Sequence, residues 1–211
     1  MAIDTIRVNK NIFLVDDDVA ACCALSVFLV NSGYSVKSFP SAEAFLEEAD
    51  GVMEGVMLLD QRMTGMSGME LQAELPQRGI DLAIIFITGY GDVEMSVKAV
   101  KAGAIDFLEK PFSNGNLLSS IKEAFSRMDG RKKQRELTDK LRKCHASLTE
   151  REQEVLKHVA AGKSNRDIAE LLGLSSRTIE VHRSKIMMKM GVESLPELVR
   201  KYDMCQKAGL L

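Results

Sequence analysis

The 211-residue sequence has no tryptophan, only 4 prolines and 4 cysteines, and 5% aromatic residues. Its cysteines, Cys22, Cys23, Cys144 and Cys205, show no C-x-x-C spacing and have only His145, His158 and His182 scattered for company. That pattern argues against a disulfide framework and against structural zinc, leaving reduced and mostly buried thiols as the expectation. No long apolar run is present either. Residues 20–30 are the longest such stretch, broken by Ser26, and a bilayer needs roughly 20 apolar residues. The first ten residues lack a basic segment followed by an apolar core and a small-residue cleavage site, so a cytoplasmic chain with no membrane attachment is expected.

Charge of one sign is absent from the whole but present in each half. The formal net charge of -2 hides 10 Lys/Arg against 18 Asp/Glu in residues 1–128, and 18 against 12 in residues 129–211. The basic half is therefore the one expected to meet nucleic acid or another polyanion.

In the acidic half, short apolar runs at residues 12–15, 36–39, 56–59, 83–87 and 105–108 read as strands, the first, third and fourth buried on both faces. Helical spacing lies between them, as in Ala24, Val27, Phe28 and in Val93, Val97, Val100. This β-α alternation predicts an α/β fold, a five-stranded, parallel, doubly wound sheet. Residues 129–146 turn highly charged, yet Leu137, Leu141, Cys144 and Leu148 form one narrow stripe, which predicts a helical linker. The remainder, 147–211, predicts an all-α unit of four helices. Capping pairs Thr149/Glu152, Ser164/Asp167 and Ser194/Glu197 open three of them, Ser175 opens the other, and Gly162, Gly173 and Gly191 close the first three. The Gly173-Leu174-Ser175 connection is the short turn of a helix-turn-helix.

Ligands of a parallel sheet gather beyond the carboxyl ends of its strands. There the sequence carries Asp16, Asp17 and Asp18 after the first strand, Asp60 after the third, Thr88 after the fourth, and Lys110 with Pro111 after the fifth. Converging carboxylates repel one another, and a hard divalent cation such as Mg²⁺ relieves them. A carboxylate beside that cation can attack phosphorus, with a hydroxyl and an ammonium holding the phosphoryl oxygens. Singly, each residue has a plainer use: an acid after a strand is more often a helix cap, and a lysine is usually a surface charge. Their joint order at the strand ends outweighs those readings.

These motifs resemble a known family. Val-Asp-Asp at 15–17, Asp60, Ile-Thr-Gly at 87–89 and Asp-Phe-Leu-Glu-Lys-Pro-Phe at 106–112 resemble a CheY-like receiver domain over residues 11–128, which makes 1–128 the expected receiver unit. Leu-Thr-Glu-Arg-Glu-Gln-Glu-Val-Leu at 148–156, Ser-Asn-Arg-Asp-Ile-Ala at 164–169 and Arg-Thr-Ile-Glu-Val-His-Arg at 177–183 resemble a LuxR-type DNA-binding domain. Together they are similar to NarL/FixJ-type response regulators, nearest the FixJ branch. The resemblance implies Asp60 as acceptor of phosphate from a sensor histidine kinase. It implies Mg²⁺ on Asp16, Asp17, Asp60 and the Arg62 carbonyl, and Thr88 and Lys110 on the phosphoryl group. Phe107 would be the aromatic switch and Lys110-Pro111 a cis bond. Val97, Lys101 and Asp106 would form a dimer surface on phosphorylation, with promoter DNA and RNA polymerase as further partners. One departure is Thr64, where the family commonly has proline.

Stepping about 100° per residue along the third helix of the basic unit puts Ile179, Ile186 and Met190 on one inward arc. Arg177, Val181, Ser184 and Met188 then point outward, flanked by Glu180 and Lys185. Arg177, Thr178, Glu180, Val181, Ser184 and Lys185 are the expected DNA contacts, with Met188 too far along. Arg183 should pack its stem and reach a phosphate, and Lys163, Ser164 and Asn165 should meet the backbone. Two rival functions fare less well. A haloacid-dehalogenase-like phosphatase wants D-x-D-x-T, and Asp16-Asp17-Asp18-Val19-Ala20 lacks the threonine. A constitutive DNA-binding protein with an inert receiver has no use for the complete Asp, Thr and Lys set.

Overall fold

The computed structural model describes residues 10–89 and 93–211, without the side chains of residues 93–96. The reading of residues 1–9, and of the Val93 side chain, lies outside the described residues. The chain divides into two compact units, Met1–Gly130 and Arg131–Leu211.

In the first unit the strands are β1 (Asn11–Val15), β2 (Ser35–Phe39), β3 (Val56–Asp60), β4 (Ala83–Thr88) and β5 (Asp106–Glu109). They form one parallel sheet in the order β2-β1-β3-β4-β5. Between them run α1 (Val19–Asn31), α2 (Ala42–Glu48), α3 (Gly68–Gln77) and α4 (Val93–Lys101). Strand side chains alternate between faces, and here both faces are covered. Phe13, Val15, Met57, Leu59, Ile84 and Phe86 pack with Phe45 of α2, Leu71 and Leu75 of α3 and Ala99 of α4. Ile12, Leu14, Val56, Leu58, Ile85 and Ile87 pack with Cys22 and Leu29 of α1 and with Leu117, Ile121 and Phe125. The last three belong to α5, a single helix from Asn114 to Ala146.

The helical spacing read in α1 is present, but of its three apolar residues only Phe28 packs against the core. Ala24 and Val27 are exposed, while Cys22 and Leu29 face the sheet. The helix has no charged residue, so its sequence marks no outer side. Thiol burial is corrected in part: all four cysteines are free, Cys22 and Cys205 are buried, Cys144 is intermediate and Cys23 is exposed.

The second unit holds α6 (Glu150–Ala160), α7 (Asn165–Leu172), α8 (Ser176–Met190) and α9 (Leu195–Lys207). Capping boxes at Thr149/Glu152 and Ser164/Asp167 open α6 and α7, and Ser175 caps α8. Ser194 caps α9 but its box is displaced by one residue, because Glu197 accepts from the Glu193 N–H instead. Gly173 ends α7 at φ +65°, a left-handed conformation that costs a residue with a Cβ. Val155, Leu156, Val159, Ile168, Ile179, Ile186, Met190 and Leu198 form the core, joined by Leu141 and Leu148. Within it Glu152 is nearly sealed from solvent and accepts from Lys189 Nζ at 2.6 Å and the Thr149 N–H at 2.9 Å. Burial alone would raise its pKa, but the lysine and the capping hydrogen bonds override that and hold the carboxyl below its usual range.

Candidate functional site

At the carboxyl edge of the sheet the three consecutive acids after β1 divide their work. Asp18 caps α1, its Oδ1 accepting from the N–H groups of Ala20 and Ala21 at 3.0 Å. Asp16 is buried, and its Oδ2 accepts from Lys110 Nζ at 2.8 Å while its Oδ1 takes the Asp18 N–H. Asp17 turns to the loop after β3, where its Oδ2 accepts from the N–H of Thr64 at 2.9 Å and from the Thr64 hydroxyl at 3.2 Å.

Asp60 ends β3 and is buried. Its Oδ1 accepts from Lys110 Nζ at 3.1 Å and its Oδ2 from the Arg62 N–H at 2.7 Å. Desolvation raises the Asp60 carboxyl above its usual pKa, with Lys110 and the Arg62 N–H opposing and Asp16 adding. Lys110 loses some of its proton affinity to burial, yet the hydrogen bonds and charges of Asp16 and Asp60 more than restore it and leave its pKa raised. The ammonium is therefore held charged between two carboxylates that come from positions 50 and 94 residues away. The same desolvation, with Asp16 adding, pushes the neighbouring Cys22 thiol up to about 11, so it stays protonated.

Thr88, at the end of β4, is buried, and its carbonyl accepts from the Lys110 N–H at 2.7 Å. The Lys110-Pro111 bond is cis. Phe107 on β5 is partly buried, its ring 6.1 Å from that of Phe86. Asp106, read as part of a surface, directs its carboxylate inward to the Ser120 hydroxyl of α5 and to the Phe107 N–H. Val97 is 46% exposed, Val100 is exposed too, and Lys101 beside them is exposed.

Three carboxylates expected at one point are thus met by two. Among the described residues no three His, Cys, Asp or Glu side chains converge into a metal cage. The donor set nevertheless suits Mg²⁺, being all hard oxygen. Asp16 and Asp60 share the ammonium of Lys110, and with Asp17 nearby in sequence the carboxylates outnumber that charge, an imbalance that a divalent cation corrects. The loop joining β3 to α3 was expected at the site through the Arg62 carbonyl and the departure at Thr64, but not through hydrogen bonds to Asp17 and Glu43. Besides Thr64, it is held by Glu43 Oε1, which accepts the Met66 N–H at 2.7 Å. Hydrogen bonds from the Glu43 and Met66 N–H groups and the Ser41 hydroxyl hold Glu43 below the ordinary carboxylate pKa. Only the hydroxyl of Thr64 in place of a proline hinted at this in the sequence.

On α8 the inward arc is Ile179, Ile186 and Met190, each fully buried, while Arg177, Glu180, Val181, Ser184, Lys185 and Met188 are exposed and Thr178 is intermediate. Arg177 and Glu180 pair at 2.9 Å, an exposed couple of small worth. Arg183 is partly buried and donates to Asn165 Oδ1 at 2.6 Å, so it ties α8 to the start of α7. Asn165, Glu180, Arg183, Ser184 and Met188 line part of a groove of about 520 Å³. Ser164 is exposed and Lys163 intermediate at the head of α7.

Comparison with known proteins identifies the kind of domain in each unit. Residues 12–122 match the response regulator receiver domain, and residues 146–202 match bacterial regulatory proteins of the luxR family. Response regulator protein TmoT of Ectopseudomonas mendocina is 44% identical over 90% of this chain and 86% of its own length. Transcriptional regulatory protein FixJ of Azorhizobium caulinodans is 41% identical, covering 90% of each chain. The solved structure of the response regulator StyR superposes with a TM-score of 0.85 at 41% identity, over 93% of this chain and 99% of that one.

Proposed function

This chain belongs to the NarL/FixJ-type response regulators, two-component transcription regulators with a receiver and a LuxR-type DNA-binding domain that are not enzymes, and from that premise we propose Asp60 as its phosphoacceptor. The observation that carries the reading is Lys110 Nζ bridging Asp16 and Asp60 at the strand ends. A receiver implies a histidine-kinase partner, and a LuxR-type domain implies DNA.

In this reading residues 1–128 receive the phosphoryl group, 129–146 link, and 147–211 bind DNA. The Asp60 carboxylate attacks the phosphorus of the kinase's phosphohistidine; an O–P bond forms, the P–N bond breaks, and its electron pair returns to the imidazole. Asp16, Asp17, Asp60 and the Arg62 carbonyl would hold Mg²⁺, which would supply neutralising charge for the transfer. Lys110 exchanges Asp60 for a phosphoryl oxygen without leaving Asp16, so its ammonium stays aimed throughout. Thr88 donates its hydroxyl to another phosphoryl oxygen. The space it leaves admits Phe107, a two-state change that repacks α4 and β5.

The exposed Val97 and Lys101 on α4, with Asp106 bracing β5 against α5, then become a two-fold interface. A homodimer on double-stranded promoter DNA engages the major groove through Arg177, Thr178, Glu180, Val181, Ser184 and Lys185, and the phosphate backbone through Lys163, Ser164, Asn165 and Arg183. RNA polymerase is the further partner, and the cytoplasm is the compartment; among the described residues no helix is long and apolar enough to cross a membrane. Incubation with acetyl phosphate and Mg²⁺ tests the assignment. One phosphoryl group per chain is expected on the native protein and none on Asp60→Asn, whereas full labelling of the variant would sink it.

A further inference from the structure

The loop between β3 and α3 is strung between two carboxylates from elsewhere in the chain. Glu43 takes the Met66 N–H at 2.7 Å, and Asp17 takes both the N–H and the hydroxyl of Thr64. Both Thr64 donors end on the same oxygen, Asp17 Oδ2. A carboxylate oxygen has two lone-pair directions, so the two donors occupy Oδ2, hold the carboxylate turned to the loop, and leave Oδ1 as the oxygen a cation can reach without displacing Thr64. Asp16 and Asp60 remain together on Lys110, while Asp17 is turned to the loop.

We propose that Thr64 is a positioning residue that latches Asp17 onto the loop, so that Mg²⁺ competes with Thr64 for Asp17 and its binding frees the 63–66 part of the loop while Arg62 stays with the cation. The proposal rests on the reading of Asp17 as a Mg²⁺ ligand. Its consequence is a weakened apparent affinity, since a cation that prefers the unlatched state binds in proportion to that state's population. It also couples loop and metal: whatever the loop contacts senses whether the cation is present. Glu43 limits how far the loop travels, because its hold on Met66 does not involve Asp17.

Two substitutions separate the donors. Thr64→Val removes the hydroxyl and keeps the N–H; Thr64→Pro removes both. Titration of the full-length protein with MgCl₂ alone, followed by calorimetry, should show affinity rising about 2-fold for the first and about 5- to 10-fold for the second. Thermal stability without metal should fall in the same order. A residue with a merely structural role would lower affinity and stability together, so the opposite signs identify the latch. In the native chain the Thr64 amide proton should move upfield as Mg²⁺ is added, as its charged acceptor departs. Asp17→Asn separates this idea from the reading beneath it. If that variant binds Mg²⁺ as tightly as the native chain, Asp17 is no ligand and both fall. If it loses Mg²⁺ while Thr64→Val and Thr64→Pro match or weaken native affinity, the ligand assignment stands and the latch alone is overturned. Should the proline variant not fold, unchanged or weaker affinity in the valine variant decides against the latch.

Discussion

Gly68, the first residue of α3, illustrates how single atoms set the crevice. A Cβ there would lie 2.5 Å from the Asp60 carbonyl oxygen, which is backbone, and 2.9 Å from the fully buried Phe86 ring. Glycine lets α3 start against the end of β3 and so fixes where Asp60 points. Gly68→Ala should destabilise the first unit by about 1–3 kcal/mol through overpacking, seen as a lower urea midpoint. It should also slow phosphorylation by acetyl phosphate. Asp16, Asp60, Thr88 and Lys110 were legible because each ends a strand or directly follows one, and in a parallel sheet all such ends lie on one edge. The partners of Asp17 were not legible: Thr64 is 47 residues away, in a loop whose path no periodicity describes.

At the scale of the element, α8 does two jobs with two faces. Its buried face carries Lys189 to Glu152 of α6, and that ion pair makes the second unit sensitive to acid. The folded pKa of Glu152 lies below its unfolded value, so its contribution is complete above the ordinary carboxylate range and is lost as pH falls through the lowered value. Glu152→Gln should cost roughly 1–3 kcal/mol at neutral pH, because Lys189 loses its partner, and should flatten the acid limb. Urea melts followed on the Ile179 and Ile186 methyl resonances from pH 7 to 3 check both. The outer face is the one that meets DNA in the proposal. Val181→Ala should change base preference, while Lys163→Ala should weaken all sequences about equally and lower the salt slope by about 1. Binding to a randomised duplex library at several salt concentrations measures both; an unaltered preference in Val181→Ala would invert the face assignment.

Across the whole molecule the two signs of charge are separated, net -8 in residues 1–128 and net +6 in residues 129–211. The acidic part does not add to non-specific attraction for DNA, and so affinity should depend on bringing two basic units to one duplex. Sedimentation with a beryllofluoride phosphate mimic and Mg²⁺ should convert monomer to dimer. Val97→Glu on α4 should prevent it while leaving Asp60 labelling intact, and an unchanged mass for the native chain would refute phosphate-driven dimerisation.

The sequence by itself determined the number of strands and their parallel pairing, the capped helix starts of the second unit, the inward arc of α8 and the strand-end residues. Each of these is periodic or punctuated locally: alternation over a strand, capping pairs three residues apart, a glycine after the last turn. Tertiary structure alone decided which side of α1 is buried, since a helix of thirteen residues without a charge presents no polar face to turn outward. It decided that Arg183 would meet Asn165 and that Glu152 would meet Lys189, 18 and 37 residues apart. It also separated three adjacent aspartates into a helix cap, a loop anchor and a partner for Lys110. Identical side chains in sequence differ only in direction and surroundings, and those follow from the neighbours the folded chain brings to each.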